Sequence, residues 1–183
     1  MIQIGFMRKL AMDELGRVSP SLYKKTPKMP VVLVLDNVRS ALNVGSIFRT
    51  SDSFLVEQLV LCGITARPPH SEINKTALGA TESVAWRYEA EVLSAIEQLR
   101  GEGYAIWAVE QVEGSTSLEA FQAPGASKLA LVLGNEVEGV SDGVLGLCDG
   151  ALEVPQFGSK HSLNVAVCAG IVVWEVFRKW KFV

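Results

Sequence analysis

Three short segments hold most of the side chains able to do chemistry. The first runs Asn37-Val38-Arg39-Ser40-Ala41-Leu42-Asn43-Val44-Gly45-Ser46-Ile47-Phe48-Arg49, the second Leu133-Gly134-Asn135-Glu136-Val137-Glu138-Gly139, and the third Val154-Pro155-Gln156-Phe157-Gly158-Ser159-Lys160-His161-Ser162-Leu163-Asn164. In the first, Asn43 precedes the apolar positions Val44, Ile47, Phe48 and Leu55 and reads as a helix N-cap. Arg49 then falls partway along the helix, where a guanidinium fork can hold a phosphate. An ordinary cap and an ordinary solvated arginine explain the pair as well as a binding site does. In the second, glycines flank an acidic pair directly after an apolar run. Gly134 lets the backbone approach a flat ligand or adopt a positive φ, and a plain tight turn is the competing reading. In the third, Asn164 lies two positions inside a helix read from residue 163, where its amide needs a partner. Ser162 has no capping box and no GxSxG elbow, so it does not read as a hydrolase nucleophile.

Several chemistries are absent from the pattern. No GxxxxGK[ST] occurs, and no GxGxxG follows the first apolar run. His70 and His161 are the only histidines, no HExxH or paired Cys and His spacing exists, and no metal site is expected. His161 reads as a solvated loop residue beside the third segment. Cys62, Cys148 and Cys168 are scattered and odd in number, which points to buried apolar roles in a reduced, cytoplasmic setting. The chain opens without a signal-peptide pattern. Its longest uncharged apolar stretch, residues 165–174, is about half the roughly 20 residues needed to cross a bilayer, so no membrane association is expected.

The elements that must position these segments follow from hydrophobic patterning. Residues 31–35 form an unbroken apolar run of the kind seen in parallel strands covered on both faces. Further strands are expected at 58–62, 84–88, 104–109, 129–133 and 151–154. Helices are expected from Asn43 onward, at 90–102 and at 163–181, with 63–83 a loop carrying a short helical piece and another short helix near 10–17. Alternation of strand, connection and helix makes this an α/β domain with a mostly parallel sheet and helices on both faces. Ligands in such folds bind at the carboxyl ends of strands, where all three segments lie. The final helix is apolar almost all round, which places it at the centre of the monomer or in a subunit interface.

Taken together the three segments resemble the signature motifs of the SpoU (TrmH) family of RNA methyltransferases, in the SPOUT superfamily. The resemblance covers about residues 31–177 and rests on Asn43, Gly45 and Arg49, on LGxExxG at 133–139, and on the Pro, Gly and Ser-Leu-Asn of 154–164. It implies an α/β fold whose carboxy-terminal part forms a deep trefoil knot, and a homodimer with the active site near the subunit boundary. It implies S-adenosylmethionine as methyl donor, contacted at Gly134, Val154 and Leu163, and no metal. It implies methyl transfer to a ribose 2′-hydroxyl of structured RNA, with Asn43, Arg49, Glu136, Ser162 and Asn164 as the catalytic positions. Ala41 stands where many members carry Pro, and Ala166 where Ser is commoner. No separate amino-terminal RNA-binding domain is visible, which favours tRNA over rRNA. A noncatalytic RNA-binding or assembly protein, or a base-methylating enzyme of the superfamily, are the alternatives.

The chain has 183 residues, 49% of them hydrophobic, and a net charge of −3, which argues against indiscriminate coating of nucleic acid. The charge is unevenly spread. Residues 1–28, read as a basic arm ahead of a methyltransferase domain at 29–183, carry +4. Residues 174–183 carry +2, leaving −9 for the 145 residues between. Both basic ends are therefore expected to contact RNA phosphates.

Overall fold

The run at 31–35 forms the core of β1 (Met29–Asp36), buried at every position from 31 to 36 because both faces of the strand are covered. Alternate side chains point to opposite faces. Val31, Leu33 and Leu35 join a cluster closed by Val44, Ile47 and Phe48 of α2 (Ala41–Ser53) and by Ala169, Val172, Val173 and Val176 of α7 (Val165–Lys181). Val32 and Val34 join a second cluster, closed by Ala95, Ile96 and Leu99 of α5 (Val92–Gly101) and Val144 of α6 (Asp142–Leu145). Burial of each large apolar side chain in these layers contributes about 1.5–3 kcal/mol. The computed structural model describes residues 7–11, 13–122, 128–160 and 162–181.

The remaining strands are β2 (Val56–Cys62), β3 (Ala85–Glu89), β4 (Tyr104–Val109), β5 (Thr116–Ser117), β6 (Lys128–Leu133) and β7 (Gly150–Glu153). All are parallel, in the order β3-β2-β1-β6-β4-β7-β5. The chain moves outward from β1 through β2 to β3, crosses to β4 on the other side, and then returns to fill the gap beside β1 with β6. In register, Leu35 lies beside Leu133, Leu133 beside Val109, and Val109 beside Leu152. The carboxyl ends of β1, β6, β4 and β7 therefore meet at one edge, and the segments that follow them converge there.

Some elements differ from expectation. The final helix starts at Val165, two residues later than its apolar content suggests. Residues 63–83 hold two helices, α3 (Ser71–Ala77) and α4 (Ala80–Ser83). Gly45 of α2 permits their arrangement, since a Cβ there would run into the carbonyl of Ile73 and the hydroxyl of Thr76. The helix expected near 10–17 is only a 3-10 turn, Asp13–Leu15. A regular helix follows instead, α1 (Pro20–Lys25), begun by Pro20 and by Ser19, whose hydroxyl accepts from the Leu22 amide at 3.3 Å. Its Tyr23 is buried and donates its hydroxyl to the Ser51 carbonyl at 3.4 Å, fastening this segment to α2. The two-residue β5 is too short to leave a periodic signal.

Candidate active site

Glu136 stands at the centre of the converging segments. Its Oε2 accepts from the Arg39 amide at 3.0 Å, and its Oε1 accepts from the Ser40 amide at 3.2 Å and from Asn43 Nδ2 at 2.8 Å. Asn43 Oδ1 in turn accepts from Asn164 Nδ2 at 3.1 Å. One residue from each segment thus joins a continuous chain, Glu136 to Asn43 to Asn164. Burial pushes the Glu136 carboxyl up, but the hydrogen bonds from the Arg39 amide, the Asn43 side chain and the Ser40 amide outweigh it and hold it below the usual carboxylate range.

The local folding of each segment explains how the chain forms. The N-cap of α2 is Ser40, whose hydroxyl accepts from the Asn43 amide at 3.3 Å, and not Asn43. Asn43 sits inside the first turn, which frees its side chain for Glu136 and Asn164. The loop ahead of it is clamped from below: the Thr65 hydroxyl accepts from the Val38 amide at 2.9 Å and donates to the Leu35 carbonyl at 3.1 Å. At α7 the expectation for Asn164 also changes. Its Oδ1 accepts from the amides of Ala166 at 2.9 Å and Val167 at 3.3 Å, and its carbonyl accepts from Cys168. Asn164 is the helix cap, which is the partner its amide needs.

The second segment closes on itself. Asn135 and Gly139 exchange backbone hydrogen bonds at 3.1 Å in each direction, and Asn135 Oδ1 accepts from the Val137 and Glu138 amides. A Cβ on Gly134 would strike the backbone of Gly139 and Val140, so the clearance there is used by the chain itself, and its φ is not positive. Beyond this turn opens a cavity of about 510 Å³, walled by Leu133, Gly134, Leu152, Val154, Leu163 and Glu110 among others, with Glu136, Ser162 and Asn164 on its lining. Glu110, at the end of β4, is held by the Val140 and Gln111 amides, each at 3.0 Å, and was not singled out from sequence because nothing near it repeats a motif. Cys168 also faces the cavity. Burial pushes its thiol up to about 11, with Glu110 adding to the effect, so it serves as an apolar wall.

All three expected cofactor positions, Gly134, Val154 and Leu163, therefore line one cavity, as do Glu136, Ser162 and Asn164. Asn43 adjoins it through Asn164. Arg49 does not line it: six residues beyond Asn43 it lies about 9 Å further along the helix axis and points elsewhere around it. Its side chain is exposed and has no hydrogen-bond or ion-pair partner among the described residues. His161 lies outside the described residues. No three His, Cys, Asp or Glu side chains among the described residues are grouped to hold a metal ion, and no described helix is long and apolar enough to cross a membrane.

Residues 30–174 match the model of the SpoU rRNA Methylase family. A Staphylococcus saprophyticus protein assigned to the TrmH family of tRNA/rRNA methyltransferases is 31% identical over 160 residues, 87% of this chain and 63% of the relative. The 23S rRNA (guanosine-2′-O-)-methyltransferase RlmB of Vibrio parahaemolyticus is 31% identical over 150 residues, 82% of this chain and 60% of the relative. The chain thus spans about three fifths of the length of these curated relatives. Among solved structures, the AdoMet-bound rRNA methyltransferase of Sinorhizobium meliloti superposes with a TM-score of 0.78 at 25% identity, covering 91% of this chain and 62% of that one. The TrmH/SpoU tRNA modifying enzyme of A. aeolicus superposes with a TM-score of 0.75 at 25% identity, covering 87% and 79%. Since the match takes in all three segments joined by Glu136, Asn43 and Asn164, the chain belongs to the SpoU methylase family.

Proposed function

We propose that this protein transfers a methyl group from S-adenosylmethionine to the 2′-hydroxyl of a ribose in structured RNA, a tRNA in preference to an rRNA. The observation that carries this reading is the Glu136–Asn43–Asn164 chain at the mouth of the 510 Å³ cavity, which ties together one residue from each family motif. The cavity fits the donor: its volume lies in the range of small-molecule sites, and it offers apolar walls at Leu152, Val154 and Leu163 with backbone groups at Gly134. The tRNA preference draws on the A. aeolicus tRNA modifying enzyme, of which 79% is matched, against 62% of the S. meliloti rRNA enzyme.

When bound, S-adenosylmethionine supplies a methyl carbon on a sulfonium, open to displacement from the side opposite sulfur. The chain's own residues must bring a hydroxyl oxygen into line with it and dispose of that oxygen's proton. Asn43 and Asn164, fixed by their mutual hydrogen bond, and Ser162 orient the ribose. Glu136 holds Asn43 and the loop before it. Arg49, unpaired among the described residues, engages the phosphate next to the target ribose and stabilises charge developing on the attacking oxygen. A guanidinium is a poor base near neutrality, so a phosphate oxygen or water takes the proton in this scheme.

The same reading includes a carboxy-terminal trefoil knot, formed as the chain after β7 passes to α7, and a homodimer in the cytoplasm. The dimer draws support from α7, whose outward face carries exposed Val167, Ile171 and Trp174 in succession while its inner face packs on α2. The decisive experiment is nucleoside mass spectrometry on RNA from a strain lacking the protein. Loss of one 2′-O-methylated nucleoside supports the proposal, loss of a base-methylated nucleoside points to base methylation, and no loss points to a noncatalytic RNA-binding role. The Arg49→Ala variant should lose methyl transfer by about 100-fold or more while still binding S-adenosylmethionine. Near-normal turnover would overturn the role given to Arg49.

A further inference from the structure

The wall of the large cavity carries two carboxylates that the methyl-transfer scheme leaves without a task. Glu110 follows Val109 at the end of β4, and Glu153 follows Leu152 at the end of β7. Val109 and Leu152 are register partners, and the Glu110 amide donates to the Leu152 carbonyl at 3.0 Å. The two glutamates therefore stand one step further along neighbouring parallel strands, whose backbones lie about 4.8 Å apart. Both line the cavity and both are half-buried. Glu110 is fixed in place. Its Oε2 accepts from the Val140 amide and its Oε1 from the Gln111 amide, each at 3.0 Å, and a Cβ on Gly139 would strike it. No Lys, Arg or His among the described residues lines the cavity or pairs with either glutamate. Like charges set side by side away from bulk water repel, and no cation in this wall offsets them. The reach of the Glu110 charge shows at Cys168 of α7, another lining residue, whose thiol is pushed up first by burial and then by Glu110.

We propose that Glu110, with Glu153 beside it, reads the positive charge of the methyl donor, so that the cavity favours S-adenosylmethionine over the S-adenosylhomocysteine that transfer leaves behind. The inference rests on the donor proposed above and adds to it the groups that tell donor from product. The two molecules share an adenosine, an ammonium and a carboxylate. They differ by a methyl group and a charge, since the donor is a sulfonium cation and the product a neutral thioether. A carboxylate fixed in a partly dry wall acts over several ångströms without contact, because the effective dielectric there is far below that of water. The Val140 and Gln111 amides hold the Glu110 charge at the wall, where it cannot turn out to solvent. Glu136 and Glu138 also line the cavity, but both are exposed, and Glu136 is already engaged by three donors, so their charges are screened. Transfer of the methyl group erases the charge that Glu110 and Glu153 attract, and the product therefore leaves more readily than the donor.

Titration calorimetry on the full chain tests this with three ligands: S-adenosylmethionine, S-adenosylhomocysteine, and sinefungin, in which an amine-bearing carbon puts a cation where the sulfur stands. Glu110→Gln should lower the ratio of the product Kd to the donor Kd by about fivefold or more relative to wild type, with sinefungin following the donor. Glu153→Gln should move the ratio in the same direction, and it decides the matter if Glu110→Gln fails to fold, because the Glu153 carboxylate makes no hydrogen bond among the described residues. Loosening of the 134–140 turn weakens all three ligands alike and cancels in the ratio, which separates charge from structure. Glu110→Asp keeps the charge and should hold the wild-type ratio within about twofold even where the individual affinities fall. An unchanged ratio in both Gln variants overturns the proposal and leaves the donor site standing. An equal loss of all three ligands in Glu110→Gln overturns it too, by assigning Glu110 to the shared ammonium or to the turn. A ratio lowered as much by Asp as by Gln refutes charge as the cause. If the wild type binds none of the three ligands, the S-adenosylmethionine reading itself fails, and this inference with it.

Discussion

Replacing Glu136 with Gln asks whether the negative carboxylate, and not merely a side chain of its shape, joins the three segments. Oε2 accepts one amide, from Arg39, and Oε1 accepts two donors, Ser40 N and Asn43 Nδ2. A carboxamide has one oxygen. Placed at Oε1, it turns its NH2 against the Arg39 amide; reversed, it turns its NH2 against both remaining donors. At least one hydrogen bond is lost and the others lose their charge assistance. Hydrogen bonds to charged groups contribute about 1.5–3 kcal/mol each, but Glu136 is exposed and solvent screening reduces the net loss to about 1 kcal/mol. For a chain of this size that lowers Tm by about 2–4 °C. Methyl transfer should fall further, about tenfold or more in kcat, because the bond from Asn43 Nδ2 loses its charge assistance while the loop ahead of Asn43 loses its Arg39 anchor, which loosens the Asn43 amide facing Asn164. The Kd for S-adenosylmethionine should stay within about twofold. Thermal melting, initial rates of methyl incorporation and titration calorimetry read the three quantities. The folded carboxyl lies below its unfolded value, so the clamp is complete above the ordinary carboxylate range of about 4.3 and is lost as pH falls through the lower folded value. The stability gap between wild type and Glu136→Gln should therefore close in acid and stay constant from about pH 6 upward. A variant with wild-type kcat refutes the coupling of Glu136 to the site, and a gap that widens in acid refutes the direction of its pKa shift.

Asn164→Ala removes both a helix cap and the link to Asn43, and should cost about 1 kcal/mol, or about 2–4 °C in Tm, together with most transfer. Asn164→Ser retains a capping oxygen but cannot reach Asn43; it should recover the Tm without the activity, as melting and rate assays would reveal. Trp174→Glu places a charge on the exposed apolar face of α7 and should convert a dimer to monomers in light scattering after size exclusion. The double substitution Lys24→Gln with Lys25→Gln should weaken RNA binding and flatten the plot of log K against log salt by up to about two phosphate contacts, measured by filter binding; an unchanged slope counts against this segment as an RNA contact.

The legible part of the fold was the part driven by hydrophobic periodicity. Residues 31–35 announce a strand covered on both sides, and the spacing of Val92, Leu93, Ile96 and Leu99 predicts the amphipathic helix that becomes α5, which buries Ile96 and Leu99 together with Ala95 and leaves Leu93 exposed. What escaped was set by polar groups whose partners lie far away in sequence. Asn43 resembles a cap because it precedes Val44, yet Ser40 captures that role and releases Asn43 to Glu136, 93 residues on. Asn164 looks like an intruder in an apolar helix, and only its two amide bonds reveal that the helix begins after it. Gly134 illustrates a third case. The residue type announces a close approach, but whether a ligand or the chain itself comes close depends on how residues 135–139 turn back.

Charge shows the same dependence on partners, and it changes where RNA should be sought. Counted along the sequence, the carboxy-terminal end is basic. In the folded chain Arg178 binds Glu175 through two hydrogen bonds, at 2.9 and 2.7 Å, and holds that carboxyl down to about 2. Lys179 pairs with the same carboxylate at 3.1 Å and donates to the carbonyls of Leu118, Glu119 and Phe121, anchoring α7 to the segment after β5. At the other end Arg8 is engaged by Glu14, and Lys28 donates to backbone carbonyls while lying 4.1 Å over the Tyr23 ring. Cations already paired release few counterions when a phosphate arrives, because they must first give up a partner. Lys24 and Lys25, exposed at the end of a helix that Tyr23 fixes to α2, remain available, and α2 is also the helix that carries Arg49. Arg39 just before α2, Arg49 within it, and Lys24 and Lys25 on the segment fastened to it are thus cations without an ion-pair partner among the described residues, and an RNA drawn to them is drawn to the helix whose first turn holds Asn43.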